Sequence, residues 1–293
     1  MSKVVASPAV RALARQQGVD LEALSARLGR TTLGREDVVG QGAPATGSPT
    51  GAGYWDVDHA QFGPVSEEPL SRFAQAAARN LSAAQTVIPA VTHHDRADMT
   101  VVEAFRLQLR DEGAARGTRL TALAFHVKAL ARALEEFPRF NASLSSDMKT
   151  LTLKHYVHIG IAVDTPAGLM VPVIRDVDRM GLWAIAERIA DLAARAQSHK
   201  VRSDEMGGAS MSITNLGGIG GTAFTPIVNP PEVAILGITR AETVPVWNGE
   251  AFVPIQMVPL DLSYDHRVIN GADAARFLRR YADLVADPRR LLV

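Results

Sequence analysis

Residues 258–285 read VPLDLSYDHRVINGADAARFLRRYADLV, and this stretch decides the fold class. From Val258 to Tyr264 every second side chain is apolar, which is typical of a strand with one buried face. From Asp273 to Val285 apolar side chains recur every three to four residues, which predicts an amphipathic helix. Gly271 marks the junction between the two elements. A strand that passes directly into a helix indicates an α/β domain.

The junction carries a histidine between opposite charges, in the order Asp265-His266-Arg267. The ends of regular elements are places where reactive groups are held rigidly and yet exposed. Asn270, four residues on, has the chemistry either to hydrogen-bond near the imidazole or to cap the helix. A lone histidine is more often structural than catalytic, so the pattern by itself leaves both interpretations open.

Upstream of this junction, helices and strands alternate at irregular spacing, which favours a mixed-sheet α/β domain over a doubly wound one. The helix predicted over Thr100–Leu109 opens with a capping box formed by Thr100 and Glu103. The other predicted helices are Ser71–Leu81, Arg119–Glu136 and Leu182–Gln197, and the other predicted strands are Leu151–Val163, Leu169–Ile174 and Val233–Ile238.

A short strand over Met211–Leu216 leads into a glycine cluster at 217–221. Ser212 and Thr214 fall on one face of this strand, where capping or turn formation is the ordinary role of a hydroxyl. A dinucleotide site requires a helix that opens on the glycines, but a proline-rich segment follows them. A turn in which the backbone approaches another element or a ligand is therefore the better interpretation.

The triplet His93-His94-Asp95 is the cluster that most resembles a metal site. Adjacent side chains of a strand point to opposite faces, so these residues would not chelate one ion. We therefore predict a polar strand or loop end here, and no metal in the protein.

The chain of 293 residues balances 31 Lys and Arg against 31 Asp and Glu and contains no cysteine. Zero net charge argues against a protein that coats nucleic acid or binds membranes through basic residues. The absence of cysteine excludes disulfide frameworks, thiolate metal sites and a cysteine nucleophile. No apolar run approaches the ~20 residues that cross a bilayer. These features predict a cytoplasmic protein that binds neither nucleic acid nor membrane.

An uncharged stretch rich in Gly, Pro and Ala divides the chain. Residues 40–53 read GQGAPATGSPTGAG, and such a stretch buries no apolar surface and is typical of a flexible tether. We predict a small helical domain over 4–38, a linker over 39–60 and a large domain over 61–293. In the small domain, helices are predicted to begin after Ser7 and after Asp20.

Together these segments resemble the dihydrolipoamide acyltransferase component of 2-oxoacid dehydrogenase complexes, and most of all its pyruvate, or acetyl-transferring, branch. One short motif is weak evidence, whereas a series of motifs in the family's order over nearly the whole chain is strong. The series comprises FPRFNAS at 137–143, IGIAVDTP at 159–166, GLMVPVIRD at 168–176, the glycine turn, NPPE at 229–232 and DHRVING at 265–271.

The resemblance implies a catalytic domain with a fold like chloramphenicol acetyltransferase, assembled as homotrimers with active sites between subunits and, in the family, into larger hollow cores. It implies transfer of an acyl group between a dihydrolipoyl thiol and coenzyme A. His266 matches the family's general base, Thr214 matches the hydroxyl residue assigned to oxyanion stabilisation, and Asn270 matches a position that holds Asp or Asn. Imidazole titrates near neutral pH and suits the deprotonation of a thiol. Both substrates bring their own sulfur, which agrees with a chain that has no cysteine.

Residues 4–38 resemble the peripheral subunit-binding domain that precedes this core in the family. SPAVR at 7–11 and REDV at 35–38 match the two ends of that domain. Arg11 and Arg15 match basic positions that contact the decarboxylating dehydrogenase and dihydrolipoamide dehydrogenase components. The resemblance therefore implies that these two arginines bind partner enzymes.

The chain departs from the family pattern in two respects. Ala26, Leu28 and Thr32 stand where the binding domain normally has a Gly-x-Gly loop and a basic residue, which puts partner affinity in question. The sequence also shows no lipoyl domain, so we expect a lipoyl domain of another chain to supply the lipoyl group.

Two other functions compete with acyl transfer in such a complex. A non-catalytic core or scaffold subunit would dock partner enzymes, but it has no use for His266, Thr214 and Asn270. A free-standing acetyltransferase acting on a small alcohol or amine is disfavoured by the docking segment and its tether.

Overall fold

The computed structural model describes residues 4–16, 18–34, 37–38 and 57–291. The chain divides into two compact units, Met1–Pro69 and Leu70–Val293. Most of the predicted linker, residues 39–56, lies outside the described residues. No helix within the described residues is long and apolar enough to cross a membrane.

The N-terminal unit combines two short helices with a two-stranded parallel sheet, and both predicted helices are confirmed. The second helix, Leu21–Leu28, is capped by Asp20, whose carboxylate accepts the N–H groups of Glu22 and Ala23. The apolar faces of the helices meet in a small core of Val10, Ala14, Leu24, Leu33 and Val38. The elements are β1 (Val5–Ala6), α1 (Pro8–Gln16), α2 (Leu21–Leu28), β2 (Thr32–Leu33) and a 3-10 turn at His59–Phe62.

The C-terminal unit is a mixed α/β domain, as the sequence predicts. The predicted helix Leu182–Gln197 is reproduced at both ends, and the helix that opens at Thr100 is followed at once by a second short helix. The helices are α3 (Arg72–Val87), α4 (Thr100–Gln108), α5 (Arg110–Arg116), α6 (Ala122–Glu136), α7 (Leu182–Gln197) and α8 (Gly271–Ala286). Helix α6 lies in the core, because its side chains from Ala124 to Ala131 are all buried.

Seven strands of the described residues form the main sheet of this unit, and two more form a separate antiparallel pair. The main sheet comprises β3 (Ala90–Asp98), β6 (Ile159–Ile161), β7 (Val173–Ile174), β8 (Met211–Asn215), β9 (Ala234–Ile238), β10 (Glu242–Trp247) and β11 (Phe252–Asp265), and the separate pair is β4 (Ala142–Leu144) with β5 (Leu151–Leu153). The order is β10-β11-β9-β8-β6-β7, with β3 also paired to β11. Strands β6, β8 and β9 run parallel and the other pairs are antiparallel, so the sheet is mixed.

Strand β11 is longer than the predicted strand Val258–Tyr264 and pairs differently along its two halves. Residues 252–257 pair with β10, whereas residues 257–265 pair with β3 on one edge and, from 260 to 264, with β9 on the other. Strand β10 and the first half of β11 therefore form a two-stranded ribbon beyond the body of the sheet. At the end of this ribbon lie two exposed aromatic side chains, Trp247 and Phe252, whose ring centroids are 5.3 Å apart.

The two faces of the main sheet differ in chemistry because successive side chains of a strand alternate between them. One face carries side chains such as Leu260, Leu262 and Tyr264 into the hydrophobic core. The other face carries buried polar side chains, among them Ser212 and Asp261. The segment 216–232 contacts this polar face, since hydrogen bonds join Phe224 to Asp261 and Glu232 to Ser212.

The prediction of a single strand over Leu151–Val163 is wrong. The structure divides it into β5, which pairs with β4, and β6, which lies in the main sheet. Between them, the side-chain amide of Asn141 donates to the carbonyl oxygens of Lys154 and Tyr156 at 3.2 and 2.7 Å. A side chain therefore satisfies backbone groups that a continuous strand would have paired. The predicted strand Leu169–Ile174 is likewise confined to β7 and an isolated bridge between Val163 and Met170.

The predicted capping box of Thr100 and Glu103 does not form. The carboxylate of Glu103 is bound by Arg106, with a 2.8 Å hydrogen bond from Nε, and the hydroxyl of Thr100 accepts the N–H of Gln256 at 3.0 Å. Met99 is the N-cap residue of α4 and makes no side-chain cap bond. Glu103 therefore binds a neighbour on its own helix and Thr100 binds strand β11, so neither side chain forms the predicted cap.

Candidate active site

His266 lies on a turn that a buried carboxylate fixes at the end of β11. Asp265 is 2% exposed, and its carboxylate accepts the N–H and the guanidinium of Arg267. These bonds raise the pKa of Arg267. The N–H of His266 donates to the carbonyl of Pro89 at 3.2 Å, and its ring lies 5.7 Å from that of Tyr264. The imidazole is exposed on a rigid support, which is the arrangement that a general base requires.

Asn270 caps helix α8. Its side-chain oxygen accepts the N–H of Asp273 at 3.0 Å, which satisfies one of the free N–H groups at the start of the helix. Within the part of the chain that the structure describes, no hydrogen bond joins Asn270 to His266. Of the two possibilities that the sequence leaves open, the structure shows the cap.

Thr214 is the last but one residue of β8, and its side chain is half-buried. It pairs with Gly237 on β9, and Gly237 pairs with Asp261 on β11, so these residues share one row of the sheet. The glycine turn that follows contacts the residues just after β9, since Thr239 donates its hydroxyl to the carbonyl of Thr222 at 3.4 Å and Arg240 donates Nη2 to that of Ile219 at 3.0 Å. No helix occurs between residues 216 and 233, which agrees with the prediction of a turn rather than a dinucleotide site.

The register of the sheet separates Thr214 from His266 within one subunit. Asp261 of β11 lies in the same row of the sheet as Thr214. His266 lies five residues further along the chain than Asp261. Five residues of strand span about 16 Å and two strand spacings about 10 Å, so the two Cα atoms lie roughly 19 Å apart. The structure therefore does not bring these two predicted site residues together around one reacting atom in a single chain.

The His93-His94-Asp95 triplet lies in strand β3, which confirms a polar strand. Nδ1 of His94 lies 2.6 Å from Oδ1 of Asp261, whose Oδ2 accepts the N–H of Phe224 at 3.2 Å. His94 thus hydrogen-bonds a buried carboxylate that anchors the segment after the glycine turn. Among the described residues, no group of three or more His, Cys, Asp or Glu is placed to hold a metal ion.

A basic cavity lies beside helices α4 and α5, at residues that none of the sequence motifs includes. Its volume is about 700 Å³, and Arg106, Arg110 and Arg119 line it. Arg106 is held by Glu103, whereas Arg110 and Arg119 are exposed and make no hydrogen bond to another described residue. Arg106 lies near the end of α4 and Arg110 begins α5, and the basic residues at 106, 110 and 119 are the signal that was present in the sequence. A cavity with two uncommitted guanidinium groups suits a ligand that carries phosphate.

In the N-terminal unit, the guanidinium of Arg11 makes its hydrogen bonds within its own domain. Its Nε donates to the carbonyl of Ala6 at 3.1 Å and its Nη2 to that of Val4 at 2.9 Å, so it ties β1 to α1. Arg15 is exposed, and its Nε lies 3.4 Å from the carbonyl of Arg11. The structure therefore gives Arg11 an intradomain role, and partner binding through either arginine stays a prediction.

The chain belongs to the 2-oxoacid dehydrogenase acyltransferase family. Residues 63–293 match the family described as 2-oxoacid dehydrogenases acyltransferase (catalytic domain), and residues 4–38 match the E3 binding domain. The dihydrolipoyllysine-residue acetyltransferase component of the pyruvate dehydrogenase complex of Pseudomonas aeruginosa is 48% identical over 303 residues. That match covers 100% of this chain and 55% of the relative. The chain spans about half the length of the curated relatives it matches.

Solved structures agree with this assignment of fold. The dihydrolipoamide acetyltransferase of Azotobacter vinelandii is 51% identical, with a TM-score of 0.80 over 81% of this chain and 98% of that one. A structure of the cubic core of the pyruvate dehydrogenase multienzyme complex gives the same values. The predicted fold class, a mixed-sheet α/β domain preceded by a helical unit, is confirmed.

One feature of the Azotobacter vinelandii protein bears on the predicted site. A serine, a histidine and an asparagine were investigated for their role in its catalytic mechanism, and they are separated by 52 and by four residues. Thr214, His266 and Asn270 are separated by the same two intervals. The hydroxyl position holds threonine in this chain and serine in that one.

Proposed function

We propose that the chain catalyses transfer of an acetyl group between a dihydrolipoyl thiol and coenzyme A. The observation that carries the proposal is the equal spacing of Thr214, His266 and Asn270 and of the three residues studied in the Azotobacter vinelandii acetyltransferase. The family membership of residues 63–293 supports the same reaction class.

His266 acts as the general base in this proposal. Its imidazole takes the proton of the coenzyme A thiol, and the thiolate sulfur attacks the carbonyl carbon of the acetyl-dihydrolipoyl thioester. The carbonyl oxygen becomes an oxyanion, to which the hydroxyl of Thr214 donates, a contribution of about 3 kcal/mol judged from single donor deletions. Collapse breaks the bond to the dihydrolipoyl sulfur, which takes the proton back from the imidazolium. Asn270 acts indirectly, because its cap holds the helix that follows the histidine turn.

Each active site takes its histidine and its hydroxyl from different subunits in this proposal. The separation of roughly 19 Å within one chain supports that arrangement. A homotrimer, as the resemblance implies, provides three such sites, and the likeness to a cubic core supports assembly of trimers into a larger core. The ribbon of β10 and β11, with its exposed aromatic pair, is a surface available for the contact between subunits.

The basic cavity binds the phosphate groups of coenzyme A in this proposal. Arg110→Ala is expected to raise the KM for coenzyme A about tenfold to hundredfold, because a hydrogen bond to a charged group is worth roughly 1.5–3 kcal/mol. The KM for dihydrolipoamide and kcat are expected to stay within twofold. Arg79→Ala, an exposed arginine on α3, serves as the control. An unchanged KM for coenzyme A would assign the cavity to something else.

The N-terminal unit docks partner enzymes of the complex in this proposal. Its match to the E3 binding domain supports dihydrolipoamide dehydrogenase as one partner, and the decarboxylating dehydrogenase is the other. Exposed Arg15 is the better candidate for the contact, since the guanidinium of Arg11 is bound within its own domain. The cytoplasmic location, the absence of a metal and the supply of the lipoyl group by another chain stay predictions.

The reaction is tested with acetyl-CoA and free dihydrolipoamide. Wild-type protein is expected to form the acetyl thioester, and His266→Ala is expected to lower kcat by at least about 100-fold. His155→Ala, an exposed histidine elsewhere in the same unit, is the control. Wild-type protein that is inert with acetyl, propionyl, branched-chain and succinyl donors would favour the scaffold function instead.

A further inference from the structure

Glu232 is a buried acid that the proposed reaction does not use. It lies at the entry to β9, directly after Asn229-Pro230-Pro231, and is 5% exposed. Its Oε1 accepts the hydroxyl of Ser212 at 2.9 Å and the side-chain amide of Asn229 at 3.1 Å. Its Oε2 is buried and has no hydrogen-bond partner among the described residues.

The position of Glu232 connects the two elements that carry the predicted site residues. Ser212, its hydroxyl partner, lies two residues before Thr214 on the same strand and the same face. Val233, its chain neighbour, accepts the N–H of Asp265 at 2.8 Å, and Asp265 fixes the turn that holds His266. One residue therefore links the strand of the hydroxyl donor to the turn of the base.

The packing around the Ser212–Glu232 hydrogen bond depends on a glycine at position 160. A Cβ atom on Gly160 would overlap the hydroxyl oxygen of Ser212, so only glycine at 160 leaves room for the Ser212–Glu232 bond. The positive charge of Lys154 favours the ionised form of Glu232. Its ammonium donates a hydrogen bond to the carbonyl of Ala209 at 2.8 Å. Burial raises the pKa of Glu232 to about 7 and lowers that of Lys154. A glutamate in this place costs stability, and buried acids of this kind concentrate at functional sites.

We propose that Glu232 is a positioning residue for the acyl transfer, which fixes the strand of Thr214 relative to the turn of His266 through its bond to Ser212 and through the backbone bond between its neighbour Val233 and Asp265. Each subunit then presents its hydroxyl and its base at a fixed separation to two different active sites. The inference rests on the proposed function, because it assigns Glu232 a role only in that reaction.

Three variants test the inference in the full chain. Glu232→Gln keeps an acceptor for Ser212 and is expected to hold kcat within about threefold, whereas Glu232→Leu keeps similar volume without any acceptor. Glu232→Leu is expected to lower kcat on the order of tenfold to hundredfold, since small misplacements of reacting groups have effects of that size. The KM values for coenzyme A and dihydrolipoamide are expected to change less than twofold. Glu136→Gln, which alters a surface pair with Arg280, is the control.

The measurements separate positioning from a general loss of structure. Thermal midpoint and particle size by light scattering are recorded with the kinetics, and Glu232→Leu is expected to assemble to wild-type size and to melt no lower than wild type while kcat falls. If that variant does not assemble, Ser212→Ala removes the same hydrogen bond from the other side and is expected to show the same loss of kcat. Wild-type kcat in assembled Glu232→Leu or, failing that, in Ser212→Ala overturns the inference. Inactive wild-type protein overturns the proposed function instead.

Discussion

Subunits that lack either His266 or Thr214 are expected to restore activity to each other when they are mixed. The perturbation is coexpression of His266→Ala and Thr214→Ala chains in equal amounts with different affinity tags. Each homo-oligomer alone should lose at least about 100-fold in kcat, because one lacks the base and the other the oxyanion donor.

The expected recovery follows from the geometry of the sheet. Since Thr214 and His266 of one chain lie roughly 19 Å apart, the proposed function combines the histidine of one subunit with the hydroxyl of the next. In a cyclic assembly with random mixing, about a quarter of such sites receive both intact groups. The mixture should therefore show about a quarter of the wild-type kcat per subunit.

A second mixture provides the control and the refutation. Wild-type chains are mixed in equal amounts with chains that carry both His266→Ala and Thr214→Ala. Sites between subunits predict about a quarter of wild-type activity in this mixture, whereas sites within one subunit predict about half. Activity of about half here, together with no recovery between the two single variants, would refute the reasoning. Acetyl transfer from acetyl-CoA to dihydrolipoamide is the assay for every sample.

Three further outcomes are expected for stability. For Glu232 the folded-state pKa of about 7 exceeds the ordinary 4.5, so the neutral form stabilises the fold at low pH and this stability is lost as pH rises toward 7. Relative to Glu232→Gln, wild-type protein should lose roughly 3 kcal/mol of unfolding free energy between pH 4 and pH 8, measured by chemical denaturation. Gly160→Ala should cost about 1–3 kcal/mol in the same measurement, because the new methyl group overlaps the hydroxyl of Ser212. Arg11→Ala should speed proteolysis within residues 4–38, because its bonds to the carbonyls of Val4 and Ala6 are lost, each worth about 1 kcal/mol.

Matched substitutions separate these effects from general damage. Gly218→Ala introduces the same methyl group where nothing lies within 4 Å, and it should leave stability unchanged. Arg27→Ala removes an exposed arginine from α2 and should leave proteolysis of the N-terminal unit unchanged. A pH-independent difference between wild type and Glu232→Gln would contradict the raised pKa, and equal effects of Gly160→Ala and Gly218→Ala would contradict the overlap.

Local patterns predicted most of the regular structure. The helix Leu182–Gln197 follows from its apolar period, and the strand that ends beside His266 follows from alternation. These elements depend on hydrogen bonds and side-chain faces within a few residues of one another, so the chemistry of the segment is sufficient to indicate them. The same holds for the two short helices of the N-terminal unit, where Asp20 caps the second.

The sequence by itself determined the types of residue available for catalysis, and only the tertiary structure decided what each one does. Asn270 had two possible roles until the start of α8 was placed, and Arg11 proved to bind its own domain. The separation of Thr214 from His266 and the burial of Glu232 come from strand register between segments far apart in the chain. Register depends on how whole strands pack against one another, and no local period in the sequence encodes it.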